Sequence, residues 1–297
     1  MNNTGLVVAS HGRHVWVEDA QGERRICHPR GKKNQAVVGD HVQWSASEDG
    51  GSIESIDTRR NLFYRQDEVR TKSFAANIDQ VLVLVAAEPD FSQSQLARAL
   101  IAARHEGIRT LIGLNKQDLS DAFAKAWQKL LPYQQLGCLV LPLSLKDHEK
   151  DLSALNHELA DRVTLVLGPS GAGKSTLINR LVPHAKAATN TISQALQSGK
   201  HTTTSTTWYW VDETKKTALM DSPGFQAFGL HHIAPQALTS CMPDIAVHAD
   251  HCKFHNCSHV HEPDCGVRQA LLEQYIDPGR YKIYTELFAE LSAPKNY

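Results

Sequence analysis

The chain has no apolar run long enough to cross a bilayer. Its longest strongly apolar stretch, Val81 to Ala87, falls far short of the roughly 20 residues that such a span needs. The opening residues, MNNTGLVVASHGR, lack the charged start and apolar stretch of a signal peptide, which predicts a cytoplasmic protein with no membrane partner. Charge of one sign is also missing. With a net charge of -1 over 297 residues, no overall field draws the molecule to nucleic acid, so any such binding rests on local patches. There are no internal repeats and no low-complexity segment. Cysteines number six, and three of them crowd into one short stretch with a histidine; in a reducing compartment that points to metal rather than disulfides. What is present is ordinary for a soluble globular protein, 41% hydrophobic and 21% charged, in a chain long enough for one large domain or two to three smaller ones.

Three textures follow one another along the chain. The first sixty or so residues carry short β-branched runs, Leu6 to Ser10, His14 to Val17, Arg24 to Cys27, His41 to Trp44 and Ile53 to Ile56, separated by Gly- and Asp-rich turns. About five short strands predict a small barrel of the OB type. From Asn77 to Asp221 the rhythm becomes strand, helix, strand. Val81 to Val85, Thr110 to Leu114, Leu139 to Leu143, Thr164 to Leu167 and Thr217 to Met220 are compact apolar runs, as expected of buried parallel strands. Helical spacing occupies Ser92 to His105, Asp121 to Leu131, Leu152 to Leu159 and Lys174 to Leu181, so this part is α/β. A His- and Cys-rich stretch ends near Cys265, and two helices are predicted over Val267 to Tyr275 and Tyr281 to Leu291.

Gly168 to Ser175 read GPSGAGKS, the pattern of a phosphate loop. Glycine is needed there because backbone N–H groups must turn inward around phosphate oxygens, in conformations and at distances that a Cβ would obstruct. Gly168, Pro169, Ser170, Gly171, Ala172 and Gly173 form the candidate nest, Lys174 the cation for the β and γ phosphates, Ser175 the hydroxyl for Mg²⁺, and Thr176 the next residue of the helix. Average residue usage yields this pattern by chance in about one chain in a hundred of this length, so a Gly-rich turn without a ligand explains it poorly. Asn115, Lys116, Gln117 and Asp118 read NKQD after an apolar run. Four polar residues after a strand usually make only a turn, but the carboxyl end of a strand is where open α/β sheets bind ligands. Guanine presents two adjacent donors that one carboxylate can accept, and adenine does not. Asp118 is therefore the candidate for base selection, worth on the order of 1 to 3 kcal/mol or more against the wrong base. Lys116 is expected along the base plane, Asn115 as a brace for the phosphate loop, and Ser144 over the base edge.

DSPG at Asp221 to Gly224 follows another apolar run, which puts Asp221 near the metal and the Gly224 amide near the γ-phosphate. Between phosphate loop and DSPG lies Lys200-His201-Thr202-Thr203-Thr204, where a switch threonine belongs; Thr203 is the expected Mg²⁺ ligand, with Thr202 and Thr204 as alternatives. In many GTPases a glutamine after DxxG orients the attacking water. Here Phe225 follows, so intrinsic hydrolysis is expected to be slow. His201 is the candidate to assist once a partner orders the loop, with a surface or partner-contact role as the alternative. The order of these elements is itself unusual: NKQD and Ser144 precede the phosphate loop that in the usual GTPase comes first.

Cys252, Cys257, His259 and Cys265 give C-x4-C-x-H-x5-C. Thiolates and an imidazole suit tetrahedral Zn²⁺, and four protein ligands indicate one structural ion. His248, His251, His255 and His261 lie close by, which leaves the histidine open. Arg24, Arg25, Arg30, Lys32 and Lys33 cluster on an expected strand end and loop of the barrel, a place where OB-type barrels bind nucleic acid, although most basic runs are merely solvated.

The reversed order, HTTT, DSPGF, the leading barrel and the Cys/His knuckle together resemble the RsgA/YjeQ family of circularly permuted GTPases over nearly the whole chain. The resemblance implies a multidomain protein: an RNA-binding OB-fold β-barrel (1–70), a circularly permuted α/β P-loop GTPase domain (71–228) and a small α-helical zinc-binding domain (229–297). It implies GTP hydrolysis to GDP in late maturation of the 30S subunit, with 16S rRNA as contact and the ribosome as activator, in a cytoplasmic monomer. The chain has GKHTTT where the family often has GRHTTT, and DSPG for DTPG; both keep the chemistry, and both terminal tails are short by family standards. Two rival readings use the same motifs: a phosphate-loop kinase or ATPase, which NKQD disfavours, and a switch for a non-ribosomal protein partner.

Overall fold

The computed structural model describes residues 3–11, 14–29, 35–47, 50–66, 71–182, 206–222, 225 and 229–293. Five strands come first, β1 (Asn3–His11), β2 (His14–Glu18), β3 (Arg24–Pro29), β4 (His41–Ser47) and β5 (Gly50–Ile56). β1 pairs with β2, β2 with β3, β3 in parallel with β5, β5 with β4, and β4 returns to β1. The ring is closed, as expected of an OB-type barrel. Alternate residues point inward, so Val15 and Val17, Val42 and Trp44, with Val7, Cys27 and Ile53, fill its core. The barrel is tight enough that a Cβ on Gly51 would lie 2.6 Å from Cys27 Sγ.

An antiparallel pair, β6 (Leu62–Gln66) and β7 (Thr71–Ala76), follows the barrel. Phe63 and Phe74 meet edge to face there, with ring centroids 5.8 Å apart.

The next elements are β8 (Gln80–Ala86), α1 (Gln93–His105), β9 (Arg109–Asn115), α2 (Ser120–Gln135), β10 (Leu139–Pro142), α3 (Ser153–Leu159), β11 (Val163–Leu167), α4 (Lys174–Leu181), β12 (Thr207–Trp210) and β13 (Ala218–Asp221). They form a sheet in the order β10-β9-β8-β11-β13-β12. All pairs are parallel except β12 with β13. β8 is apolar throughout because both its faces are covered: Val81, Val83 and Val85 join one core, Leu82 and Leu84 the other. Through β12 this sheet touches the barrel, Thr207 lying opposite Ala9.

A 3-10 turn at Pro235–Ala237 leads into α5 (Leu238–Cys241), α6 (Pro243–Ala249), α7 (Gly266–Leu272) and α8 (Pro278–Ser292). Asp277 caps α8 by accepting from Arg280 N at 2.9 Å, with Pro278 at the first helical position. Leu238, Ile245, Tyr284 and Leu287 share one core with Leu96 and Ala97 of α1. Arg98 of α1 also pairs with Glu290 of α8, Nη1 to Oε1 at 2.8 Å. Inside the helical part, Arg280 donates to both carboxylate oxygens of Asp244 at 2.7 and 2.8 Å, while its guanidinium lies 4.8 Å from the ring centre of Tyr133 in α2. Among the described residues no helix is long and apolar enough to cross a membrane.

Candidate nucleotide site and metal centre

The motifs gather at the carboxyl edge of the parallel sheet, with the end of β8 between those of β9 and β11. NKQD follows β9, the Ser144 loop follows β10, the phosphate loop follows β11, and Asp221 ends β13. A cleft of about 350 Å³ opens there, lined by Asn115, Lys116, Asp118, Pro169, Ser170, Gly171, Gly173, Lys174, Ser175 and Thr176 together with Lys146. The early tetrad and the late phosphate loop thus share one pocket, although more than fifty residues of sequence separate Asn115 from Gly168.

Asn115 is the joint between them. It is buried, its Nδ2 donates to Ala172 O at 2.9 Å in the phosphate loop, and its Oδ1 accepts from Leu145 N at 3.0 Å in the neighbouring loop. The glycine at 173 is required for that contact. Its φ is +105°, and a Cβ there would sit 2.4 Å from Asn115 Nδ2. Gly168 is needed for close approach, because its Cβ would lie 2.1 Å from Leu84 O. On the base side Ser144 Oγ donates to Asp118 Oδ1 at 3.1 Å, and Gln117 N donates to Leu143 O at 3.0 Å. Lys116 takes a positive φ of 68° and its Nζ donates to Glu88 O. Gln117 faces the other way, onto a shallow recess beside Phe123 and Trp127.

Lys174 Nζ donates to Gly168 O at 2.6 Å within its own loop. Burial lowers its pKa from the ordinary lysine value, against the opposing pull of Asp221. The reverse holds for Asp221, where burial raises the carboxyl and Lys174 opposes. The two groups are thus half-buried and oppositely charged, Lys174 in the lining of the cleft and Asp221 at the end of the nearby strand β13. Phe225 is 4% exposed and packed into the large core, so it presents no surface to a water at the γ position. His201, Thr202, Thr203, Thr204 and Gly224 lie outside the described residues.

Two residues, one lining the cleft and one beside it, carried no sequence signal. Lys146 lines the cleft two positions after Ser144, where a lysine in a loop belongs to no motif. Arg180 sits in the last turn of α4, where a basic residue normally needs no explanation beyond the helix dipole.

The second cluster is Cys252, Cys257, His259 and Cys265, whose donor atoms all lie within 4.8 Å of one another. His259 Nδ1 is 3.4 Å from Cys252 Sγ and 3.5 Å from Cys265 Sγ, and the two sulfurs are 3.8 Å apart. This selects His259 from the five candidate histidines. Three sulfurs and one nitrogen converging on one point fit a tetrahedral metal ion. The loop that carries them is built by other residues. The Glu262 carboxylate accepts from Ser258 N at 2.8 Å and from Val260 N and His261 N at 3.2 Å. The hydroxyls of Tyr281 and Tyr284, from α8, donate to His259 O at 2.7 Å and Ser258 O at 3.0 Å. Cys265 also caps α7, its Sγ accepting from Arg268 N at 3.5 Å.

Of the basic run on the barrel, Arg24 and Arg25 are described, while Arg30, Lys32 and Lys33 lie outside the described residues. Arg24 Nε donates to Glu18 Oε2 at 2.8 Å, and the Arg25 guanidinium lies 5.6 Å from the Trp44 ring centre. Glu18 also accepts from Trp210 Nε1 at 2.9 Å and Lys215 Nζ at 2.6 Å. Burial would raise its carboxyl, but hydrogen bonds from Lys215, Arg24 and Trp210 hold it below the ordinary glutamate value.

A phosphate loop and an NKxD tetrad at one edge of a parallel sheet, with the tetrad earlier in the chain, define a P-loop GTPase of permuted order. Residues 56–231 match the RsgA GTPase family model. A small ribosomal subunit biogenesis GTPase RsgA from Variovorax paradoxus is 66% identical over 294 residues, covering 97% of this chain and 92% of the relative. The protein of that name from Bordetella pertussis is 48% identical, covering 99% and 98%. Among solved structures, YjeQ from Thermotoga maritima superposes with a TM-score of 0.75 at 28% identity, covering 99% of this chain and 100% of that one. YloQ, described as a circularly permuted GTPase, gives 0.71 at 25%, covering 100% and 98%. The chain belongs to the RsgA GTPase family, and it is a hydrolase of GTP.

Proposed function

We propose that this GTPase acts on the small ribosomal subunit late in its maturation, in the cytoplasm, binding 16S rRNA and being switched on for hydrolysis by the ribosome. The observation that carries the reading is the single cleft in which Asp118 and Lys174 meet, supported by relatives named for small-subunit biogenesis. In this reading Asp118 selects guanine, with Lys116 and Ser144 at the base, while residues 168–176 cradle the phosphates around Lys174. Ser175, with Thr203 from the switch run, holds Mg²⁺, Asp221 supports that ion, and the Gly224 amide senses the γ-phosphate. His201 assists the attacking water once a partner orders its loop. The Cys252, Cys257, His259 and Cys265 set holds one structural zinc ion.

The chain divides at 1–70, 71–228 and 229–297, with the β6–β7 pair spanning the first boundary, and it acts as a monomer. RNA contact through the barrel uses Arg25, Arg30, Lys32 and Lys33. Arg24 contributes less, because its guanidinium is committed to Glu18. DSPG runs directly into the helical part and β12 into the barrel seam, so nucleotide state can set how both modules meet RNA. GTP hydrolysis measured with and without purified 30S subunits tests the proposal. A large stimulation is expected, and His201→Ala is expected to lose most of it. A rate indifferent to 30S subunits would overturn the ribosomal reading while leaving the GTPase assignment intact.

A further inference from the structure

Arg180 belongs to none of the motifs that built the site, and it is not among the residues lining the cleft. Half-buried in the last turn of α4, its guanidinium reaches four backbone carbonyls at once. Nη1 donates to Ser144 O at 3.2 Å, Leu145 O at 3.4 Å and Asp147 O at 3.0 Å, and Nη2 donates to Lys150 O at 2.9 Å. All four belong to the loop after β10, whose Ser144 bonds Asp118 and whose Lys146 lines the cleft. Only a planar, multi-donor head can gather carbonyls spread over seven residues; a lysine ammonium is a single point.

The Leu145 peptide is consequently held at both ends. Its N–H donates to Asn115 Oδ1 at 3.0 Å, and its carbonyl accepts from Arg180. Asn115 in turn reaches the phosphate loop at Ala172, and α4 starts at Lys174, directly after that loop. The base-side loop is therefore tied to the phosphate-side element by two routes, one through Asn115 and the other through Arg180. Without Arg180 four carbonyls lose a charged donor, and of the two routes to the phosphate-side element the loop keeps only the one through Asn115.

We propose that Arg180 is a positioning residue that fixes the loop 144–150 against the phosphate-loop helix and thereby sets the affinity and base selectivity of the cleft. This rests on the reading that the cleft takes a guanine nucleotide. GTP and GDP share the base, so both weaken alike when Arg180 is lost. A ligand with phosphates and no base does not. At steady state KM for GTP rises while kcat stays within about twofold, because the chemistry occurs at the other end of the cleft.

The test compares wild type, Arg180→Ala and Arg180→Lys for binding of GDP, ADP, inosine diphosphate and tripolyphosphate. Inosine lacks the exocyclic amine that Asp118 is placed to accept. For Arg180→Ala the GDP Kd is expected to rise about tenfold to a hundredfold. The preference for GDP over inosine diphosphate narrows, and tripolyphosphate binding is unchanged. Arg180→Lys falls between, and it is the variant to read if Arg180→Ala does not fold. An unchanged GDP Kd and base ratio, in a wild type that prefers GDP to ADP, overturns the role of Arg180 alone. Equal losses for GDP and tripolyphosphate also overturn it, since they mean general loosening. A wild type with no preference for GDP over ADP overturns the guanine reading itself.

Discussion

His232 shows what burial does to a single titratable side chain near the seam between the nucleotide-binding part and the C-terminal helices. It lies against Tyr64 and His105, with ring centroids 5.1 and 5.9 Å away, and its buried Nδ1 has no hydrogen-bond partner. Burial, helped by His105 and His231, lowers its pKa from 6.5 to about 4. Between those values the unfolded chain holds a proton that the folded chain refuses. The stability contributed by His232 is thus complete above pH 6.5 and is lost as pH falls toward 4. Urea midpoints measured across this window are expected to fall with acidity in wild type and to fall less in His232→Phe, which keeps the ring packing and cannot take up the proton. Parallel pH profiles would show that other groups govern acid sensitivity.

The knuckle and its supporting helix depend on each other. α8 contributes Tyr281 and Tyr284 to the backbone of the loop that carries His259, and Cys265 serves both as a donor in the metal cluster and as the cap of α7. Removing the ion should therefore release more than one loop. Purified protein is expected to carry one zinc per chain, and chelation or Cys257→Ser is expected to lower the melting temperature and reduce helical signal together. Normal melting with zinc absent would make the cluster a set of free thiols. Elements also differ in how plainly they are written in the sequence. The strands β8, β9 and β11 are built around compact apolar runs that are buried, and all were legible, as was the 3.6-residue spacing of α1 and α4. β12 was not, because Thr-Trp-Tyr-Trp has neither alternation nor a turn at its start. Nor was the β6–β7 pair, whose strands TKSFAA and LFYRQ are set by pairing across the barrel boundary rather than by local pattern.

At the level of the assembled molecule, the same divide separates motif residues from the residues that hold them. Asn115, Asp118, Ser144 and Lys174 were readable because their chemistry demands a residue type at a fixed place after a strand. Arg180 and Lys146 were not, because a basic residue on a helix end or loop looks like any solvated one until the fold brings a partner to it. His259 was one of several histidines until the chain turned three sulfurs toward it. The joint formed by Glu18 with Arg24, Trp210 and Lys215 likewise exists only once β2 of the barrel and the β12–β13 hairpin are neighbours. What the permuted order preserves is the sheet edge, not the order of elements along the chain, and it is the edge that assembles base and phosphate recognition into one cleft.

Displacement of a fluorescent GDP analogue at equilibrium decides whether that cleft works as one site. GTP and GDP are expected to displace it while ATP and ADP do not, Asp118→Ala is expected to erase this preference, and Lys174→Ala is expected to weaken all four nucleotides. Displacement by ATP as effective as by GTP, or an Asp118→Ala protein that still prefers guanine, would contradict the joining of the early tetrad and the late phosphate loop around a single guanine nucleotide.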